Sequence, residues 1–237
     1  MRGIQAHTGG RSSVNKPRQL LAKSTQSPER PVAAETLRGH TAFVVAAAEE
    51  LLASRGEASL RATGLPPTLV DRLGRIVRLA AFVHDLGKCS DHFQEMVRGQ
   101  RRAPQLVRHE ALSLWMCWPG QPLAAWLRPA VDEEIDYLVA LIAAAAHHRK
   151  FWSRAVAPDE VGAGTRITLL SSHEDFKSVL QFGAKQLSLG PPVELPDDLA
   201  IESSVFSTPH LAHPARAERR DDLVGAEPRS GLNCHVW

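Results

Sequence analysis

Residues 79 to 88 read Leu-Ala-Ala-Phe-Val-His-Asp-Leu-Gly-Lys, an apolar, helix-forming run that ends in a side-by-side histidine and aspartate. Imidazole and carboxylate both ligate divalent transition metals. Sequence neighbours do not share a helix face, but they can converge on one ion where a helix stops. Gly87 is the expected stop, as a left-handed C-cap. The partial negative charge of a helix C-terminus favours a cation there. Lys88 adds a positive charge where a phosphate can dock. Four more histidines fall at usable places: His40, His109 and the pair His147-His148. A lone helical histidine is most often an ordinary core or surface residue. Five histidines in this order, around a His-Asp-x-Gly-Lys core, point instead to a metal site.

The donor count suggests how many ions. A catalytic zinc with three protein ligands needs fewer residues than these. Six donors fit two ions, which in two-metal hydrolases stand about 3.5–4 Å apart and clamp both the attacking and the leaving oxygen. Asp85 is the one candidate bridge, because imidazole does not offer two ligating atoms at that spacing. His40 and His84 are then expected on one ion, and His109, His147 and His148 on the other. The expected cofactor is one or two divalent transition-metal ions: Mn, Ni, Co, Fe or Zn. His92 reads as a surface residue or a neighbour of the ligands. His7, His173, His210, His213 and His235 lie in loops or tails and receive no role.

These donors need helices to aim them. Thr36 to Arg55 has apolar residues at Leu37, Val44, Val45, Ala48, Leu51 and Leu52, and Gly56 is the expected end. Pro66-Pro67 opens a second helix, expected over residues 68 to 85. Short helices are expected over 90 to 98 and 104 to 118, the latter stopped by Pro119-Gly120. A stronger one is expected over 131 to 148, with Asp132, Glu133, Glu134 and Asp136 in its first turns, as the dipole prefers. Ile167 to Leu170 fits a strand or the approach to a helix, and residues 175 to 187 look helical. Each candidate histidine thus lies on or at the end of a helix, where a bundle can point it inward.

The expected fold class is all-α: a mobile N-terminus over residues 1–17, a helical domain over 18–190, and a loose tail over 191–237. Met1 to Pro31 carries six Lys/Arg against one acid, with a short ordered element near Leu20 to Lys23. From Ser203 onward apolar residues are sparse and Pro and Arg recur, so little surface could be buried to offset ordering entropy. The chain has 237 residues, 43% hydrophobic, and a net charge of +2, which gives no whole-chain basic signature for nucleic acid. Cys89, Cys117 and Cys234 form no CxxC pair, so a reduced, cytoplasmic setting is expected. No run of about 18 apolar residues predicts a membrane span, and the polar N-terminus does not resemble a signal peptide.

Trp115, Trp118, Trp126 and Trp152 flank the ligand helices and could stack bases, though core packing is the commoner role. Arg98, Arg101, Arg102 and Arg108, with Arg149-Lys150 after the histidine pair, would suit a phosphate-backbone track.

On these residues the chain resembles the HD phosphohydrolase superfamily and, more narrowly, the HD nuclease of type I CRISPR systems. The resemblance covers roughly residues 18 to 190. It rests on Leu20 to Ser24, Leu37-Arg38-Gly39-His40, His84-Asp85-Leu86-Gly87-Lys88 with Phe93-Gln94 after it, Arg108-His109-Glu110 and Ala146-His147-His148. It implies an HD-domain helical bundle that hydrolyses phosphodiester bonds, chiefly in single-stranded DNA. It implies two partners, a CRISPR helicase that feeds the strand and the crRNA-guided Cascade complex that opens the target, and no membrane. It carries metal ligation to His40, His84, Asp85, His109, His147 and His148, and a catalytic role to Asp85 and Lys88, the latter beside the scissile phosphate. The family places a further metal-binding Asp on a later helix, in an Ala-Asp-x-x-x-Ser context. No such segment is evident; Asp221-Asp222 is the nearest candidate. No Gly-x-x-x-x-Gly-Lys-Ser/Thr segment follows, so the helicase is a separate chain or the reading frame is truncated. The alternatives are an HD phosphohydrolase acting on nucleotides or cyclic dinucleotides, and an inactive remnant.

Overall fold

The longest helix, α1 (Leu37–Ala62), begins where Thr36 caps it: the Thr36 hydroxyl accepts from the Gly39 amide at 3.0 Å. In this computed structural model, which describes residues 17–100, 107–148 and 166–202, α1 does not stop at Gly56. Gly56 is buried in mid-helix, and a Cβ there would lie 3.0 Å from Leu52 and 3.1 Å from Val70. Its smallness lets the next helix approach, at the usual cost in helix propensity. The left-handed residue comes later, at Gly64 (φ 76°), just past the helix end.

A 3-10 turn at Pro67–Leu69 leads into α2 (Val70–Val83), which packs between α1 and α6 (Glu134–Ala145). Proline at the first position suits this start, since its missing N–H has no partner there to lose. After α2 comes a second 3-10 turn, Leu86–Cys89, and then α3 (Asp91–Val97), capped by the Ser90 hydroxyl. Two further helices, α4 (His109–Cys117) and α5 (Ala124–Leu127), precede α6. α4 is shorter than the expected 104–118; residues 101–106 lie outside the described residues. α6 ends at Ala145, so His147 and His148 stand in a turn just beyond it.

The described residues are mostly helical, as expected, with one small sheet. Strands β1 (Arg166–Leu169) and β2 (Leu199–Glu202) pair antiparallel, in the register Arg166↔Glu202 to Leu169↔Leu199. Between them runs α7 (Glu174–Gln186), which packs on α1 and presses Gly183 against the Phe82 ring. Residues 191–202, placed in the loose tail by sequence, include this paired strand, and Ile201 is buried in the core. Residues 203–237, with Asp221-Asp222, lie outside the described residues.

Pro17 to Ala22 forms a strap with Leu20 and Leu21 fully buried. The Leu20 carbonyl accepts from the Leu37 amide at 2.7 Å, and the Leu20 amide donates to Asp175 at 2.7 Å. His173, given no role by sequence, caps α7: its Nδ1 accepts from the Asp175 amide, and its Nε2 lies 2.7 Å from the Pro17 carbonyl. The main core joins α2, α4, α6 and α7, with Trp115 and Trp126 packed against it and Trp118 exposed. Trp152 lies outside the described residues. Among the described residues no helix is long and apolar enough to cross a membrane.

Candidate metal centre

His84 is the C-cap of α2 and still helical, whereas Asp85 leaves the helix at φ −117°, ψ 9°. That break is how adjacent side chains turn toward one point. The expected reason for it was wrong. Gly87 is not left-handed; it sits buried inside the 3-10 turn. A Cβ on it would lie 2.1 Å from the His109 carbonyl and 2.8 Å from the Ser113 amide. Glycine is needed here because α4 crosses directly against the turn.

Several elements clamp this turn. The Gly87 amide donates to the Ser113 hydroxyl (2.8 Å), which donates to the His84 carbonyl (3.1 Å). The Gln94 side chain donates to the Lys88 carbonyl (2.7 Å), and the Leu170 amide donates to the Cys89 carbonyl (3.1 Å). Sequence reasoning missed Ser113. The signal available was its spacing of four from His109, which puts both on one face of α4.

All six sequence-predicted donors converge. Asp85 is only 1% exposed, and its two oxygens face different groups. Oδ2 lies 3.0 Å from His40 Nε2, 3.0 Å from His84 Nε2 and 2.7 Å from Lys88 Nζ. Oδ1 lies 3.1 Å from His109 Nε2 and 3.6 Å from His147 Nε2. His148 Nε2 meets His109 Nε2 at 3.0 Å. The candidate ligating atoms sort into two groups, each with its atoms within 4.8 Å of one another: His40–His84–Asp85 and His109–His147–His148. His40 sits one turn into α1, half-buried; a Cβ on neighbouring Gly39 would lie 1.9 Å from the Ala33 carbonyl, so glycine lets the chain pack there.

The hydrogen bonds behind the rings indicate what the centre holds. His84 Nδ1 lies 2.8 Å from the Ala81 carbonyl and His147 Nδ1 2.6 Å from the Ala144 carbonyl. A carbonyl only accepts, so both Nδ1 atoms carry protons, and each ring, once deprotonated, aims an Nε2 lone pair at Asp85. Lone pairs facing a carboxylate repel unless a cation lies between them. Asp85 Oδ1 is buried without hydrogen-bond geometry to either facing ring. The donor set therefore fits divalent metal.

The same imidazoles also act on the charge of the carboxylate. Burial alone would push the Asp85 carboxyl up, but the imidazoles of His109, His147, His40 and His84 outweigh it and hold the group well below the carboxylate range. Burial lowers the His109 pKa despite Asp85, which favours the neutral, ligating ring. Burial, then the neighbouring His147 and His109, lowers His148 as well. Burial also opposes charge on His147, but Asp85 and the Ala144 carbonyl together raise its pKa.

The other expectations fare unevenly. His92 is buried in α3 rather than on the surface, and it is in neither group. Arg98 turns to Gln94 and to the Gln19 carbonyl, and Arg108 pairs with Glu110. Arg101, Arg102, Arg149 and Lys150 lie outside the described residues.

A helical domain that gathers histidines from helix ends around a His-Asp step is an HD-type metal-binding domain. The sequence model of the family described as "Cas3, HD domain" matches residues 21–204, and the chain belongs to that family. A protein of Myxococcus xanthus (strain DK1622), with the provisional name CRISPR-associated nuclease/helicase Cas3, is 59% identical over 207 residues, 87% of this chain and 26% of the relative. The chain thus spans about a quarter of the length of that relative. No solved structure matches it.

Proposed function

We propose that this chain is a metal-dependent nuclease module of CRISPR interference that cuts single-stranded DNA, working with a helicase and a crRNA-guided Cascade complex. One observation carries the reading: Asp85 stands between two histidine groups and gives each its own oxygen. On this reading His40, His84 and Asp85 hold one divalent ion, and Asp85, His109, His147 and His148 hold the other. Bound there, the ions supply an activated water and neutralise charge on the phosphate. The chain's own residues do the rest. The Ala81 and Ala144 carbonyls fix the ring tautomers, and Ser113 fixes the turn that carries Asp85. Lys88, whose ammonium already reaches Asp85 Oδ2, moves to the scissile phosphate and stabilises its developing charge. His147 and His148 are exposed, which suits a polymeric strand better than a nucleotide enclosed in a pocket. The proposed nuclease unit runs from about residue 18 through β2, past the expected boundary at 190.

The test is cleavage of a labelled single strand with Mn²⁺. Degradation that EDTA stops and Asp85→Ala abolishes is the expected result. Cleavage that survives both would end the proposal.

A further inference from the structure

Gln94 is buried (3% exposed) and uses every polar bond its amide offers. Its oxygen accepts from the Leu21 amide (3.0 Å) and from Arg98. Its nitrogen donates to the Leu21 carbonyl (2.8 Å) and to the Lys88 carbonyl (2.7 Å). Two of these bonds treat Leu21 as a strand neighbour, and a third reaches into the turn bearing Asp85 and Lys88. The same strap residue packs on Phe93 and Val97 in a small separate core. The Phe93 ring stands edge-on to His109 at 5.5 Å, and Lys88 Nζ lies 5.5 Å from its centre. The strap thus touches the centre along a polar path through Gln94 and an apolar path through Phe93.

We propose that Gln94 is a positioning residue: it fixes the Lys88 backbone to the N-terminal strap and so sets where the Lys88 ammonium stands. The reason is geometric. The Lys88 amide already bonds Asp85 within the turn, at 2.9 Å. The Lys88 carbonyl is held from outside the turn by Gln94. With both peptide groups fixed, the side chain leaves the backbone in one direction. Without the outer bond, the Lys88 peptide can tilt between its clamped neighbours Gly87 and Cys89, and Lys88 loses its aim while the histidines, on α1, the end of α2, α4 and the turn after α6, stay in place. A displacement of about 1 Å is enough to cost roughly 100-fold in rate.

This inference rests on the reading of Lys88 as the phosphate-contacting lysine. The variant is Gln94→Glu. A carboxylate still accepts from the Leu21 amide and Arg98, so the strap keeps a partner, but it can donate to neither the Lys88 nor the Leu21 carbonyl. Gln94→Met, of similar size and without polar atoms, is the second variant. The full chain is assayed with Mn²⁺ on single-stranded DNA, alone and in a Lys88→Ala background. In Gln94→Glu, kcat should fall roughly 10- to 100-fold with KM and Mn²⁺ affinity within about twofold. In Lys88→Ala, adding Gln94→Glu should change nothing further, because the residue acts through a side chain already gone. A loss that repeats in full in the Lys88→Ala background, or an unchanged kcat in Gln94→Glu, would overturn the proposal. A readout independent of cleavage is amide exchange in EDTA. The Lys88 and Ser90 amides should exchange about five- to tenfold faster in both Gln94 variants, since both lose the bond to the Lys88 carbonyl. Unchanged exchange at those amides overturns the proposal whether or not the protein cuts DNA. Faster exchange in a chain that never cuts would instead count against the nuclease reading alone.

Discussion

Asp85 works under two demands, one on each oxygen, and only an ionised carboxylate meets both. Its charge is secured by four surrounding imidazoles, so Asp85 stays ionised as pH falls. Ligation needs neutral rings. Mn²⁺ affinity should therefore fall as pH drops, starting above the ordinary histidine value because the His147 pKa is raised and continuing below it because those of His109 and His148 are lowered. His147, with its raised pKa, should be lost first on the way down. Calorimetric titrations across that range check this; a flat affinity would count against imidazole ligation. Asp85→Asn keeps the shape and removes the charge, and should weaken Mn²⁺ binding by more than about 100-fold. Gly87→Ala forces a methyl into the His109 carbonyl and should cost about 2–3 kcal/mol, read as a lower Tm. At this scale the candidate ligands were legible because their residue types are rare and their order is distinctive. The hydroxyl of Ser113 and the two bonds from Gln94 to Leu21 were not, since they depend on partners 26 and 73 residues away.

Helix starts were easier to read than helix ends. Thr36, Ser90 and the Pro66-Pro67 pair each sit where an element begins, because a cap must satisfy amides locally. Thr36→Ala removes the cap from the turn that carries His40. It should cost about 1 kcal/mol, or about 2–4 °C in Tm for a chain of this size, and fray the His40 side of the centre first. Thermal melts alone and with Mn²⁺ test both parts; an unchanged Tm would mean that packing against α2 and α7 holds this end without the cap. By sequence, Gly56 and Gly87 both read as terminators. Each is instead a point where another element comes too close for a Cβ, and sequence does not distinguish a glycine that ends a helix from one that admits a neighbour. The β1–β2 pair escaped notice because the partner of Ile167 is Ile201, with all of α7 between them.

Across the whole molecule, the centre draws on α1, the turn after α2, α4 and the turn after α6, so bound metal should tie these elements together. Mn²⁺ at about 100 times its Kd should add about 2.7 kcal/mol, a Tm rise of about 5–10 °C over the protein in EDTA; no rise would argue against a metal centre. The strap has a different consequence, one of timing. Leu20 finds its partner in Asp175, 155 residues later, and Pro17 finds His173 at a separation of 156. Synthesis at about 5–20 residues per second puts about 8 to 30 seconds between the two ends of that contact. During that interval the nascent strap has no α7 to hold it, and ring closure over so long a loop is slow. Docking of the strap should therefore wait for the emergence of α7, after the last candidate histidine has already been made.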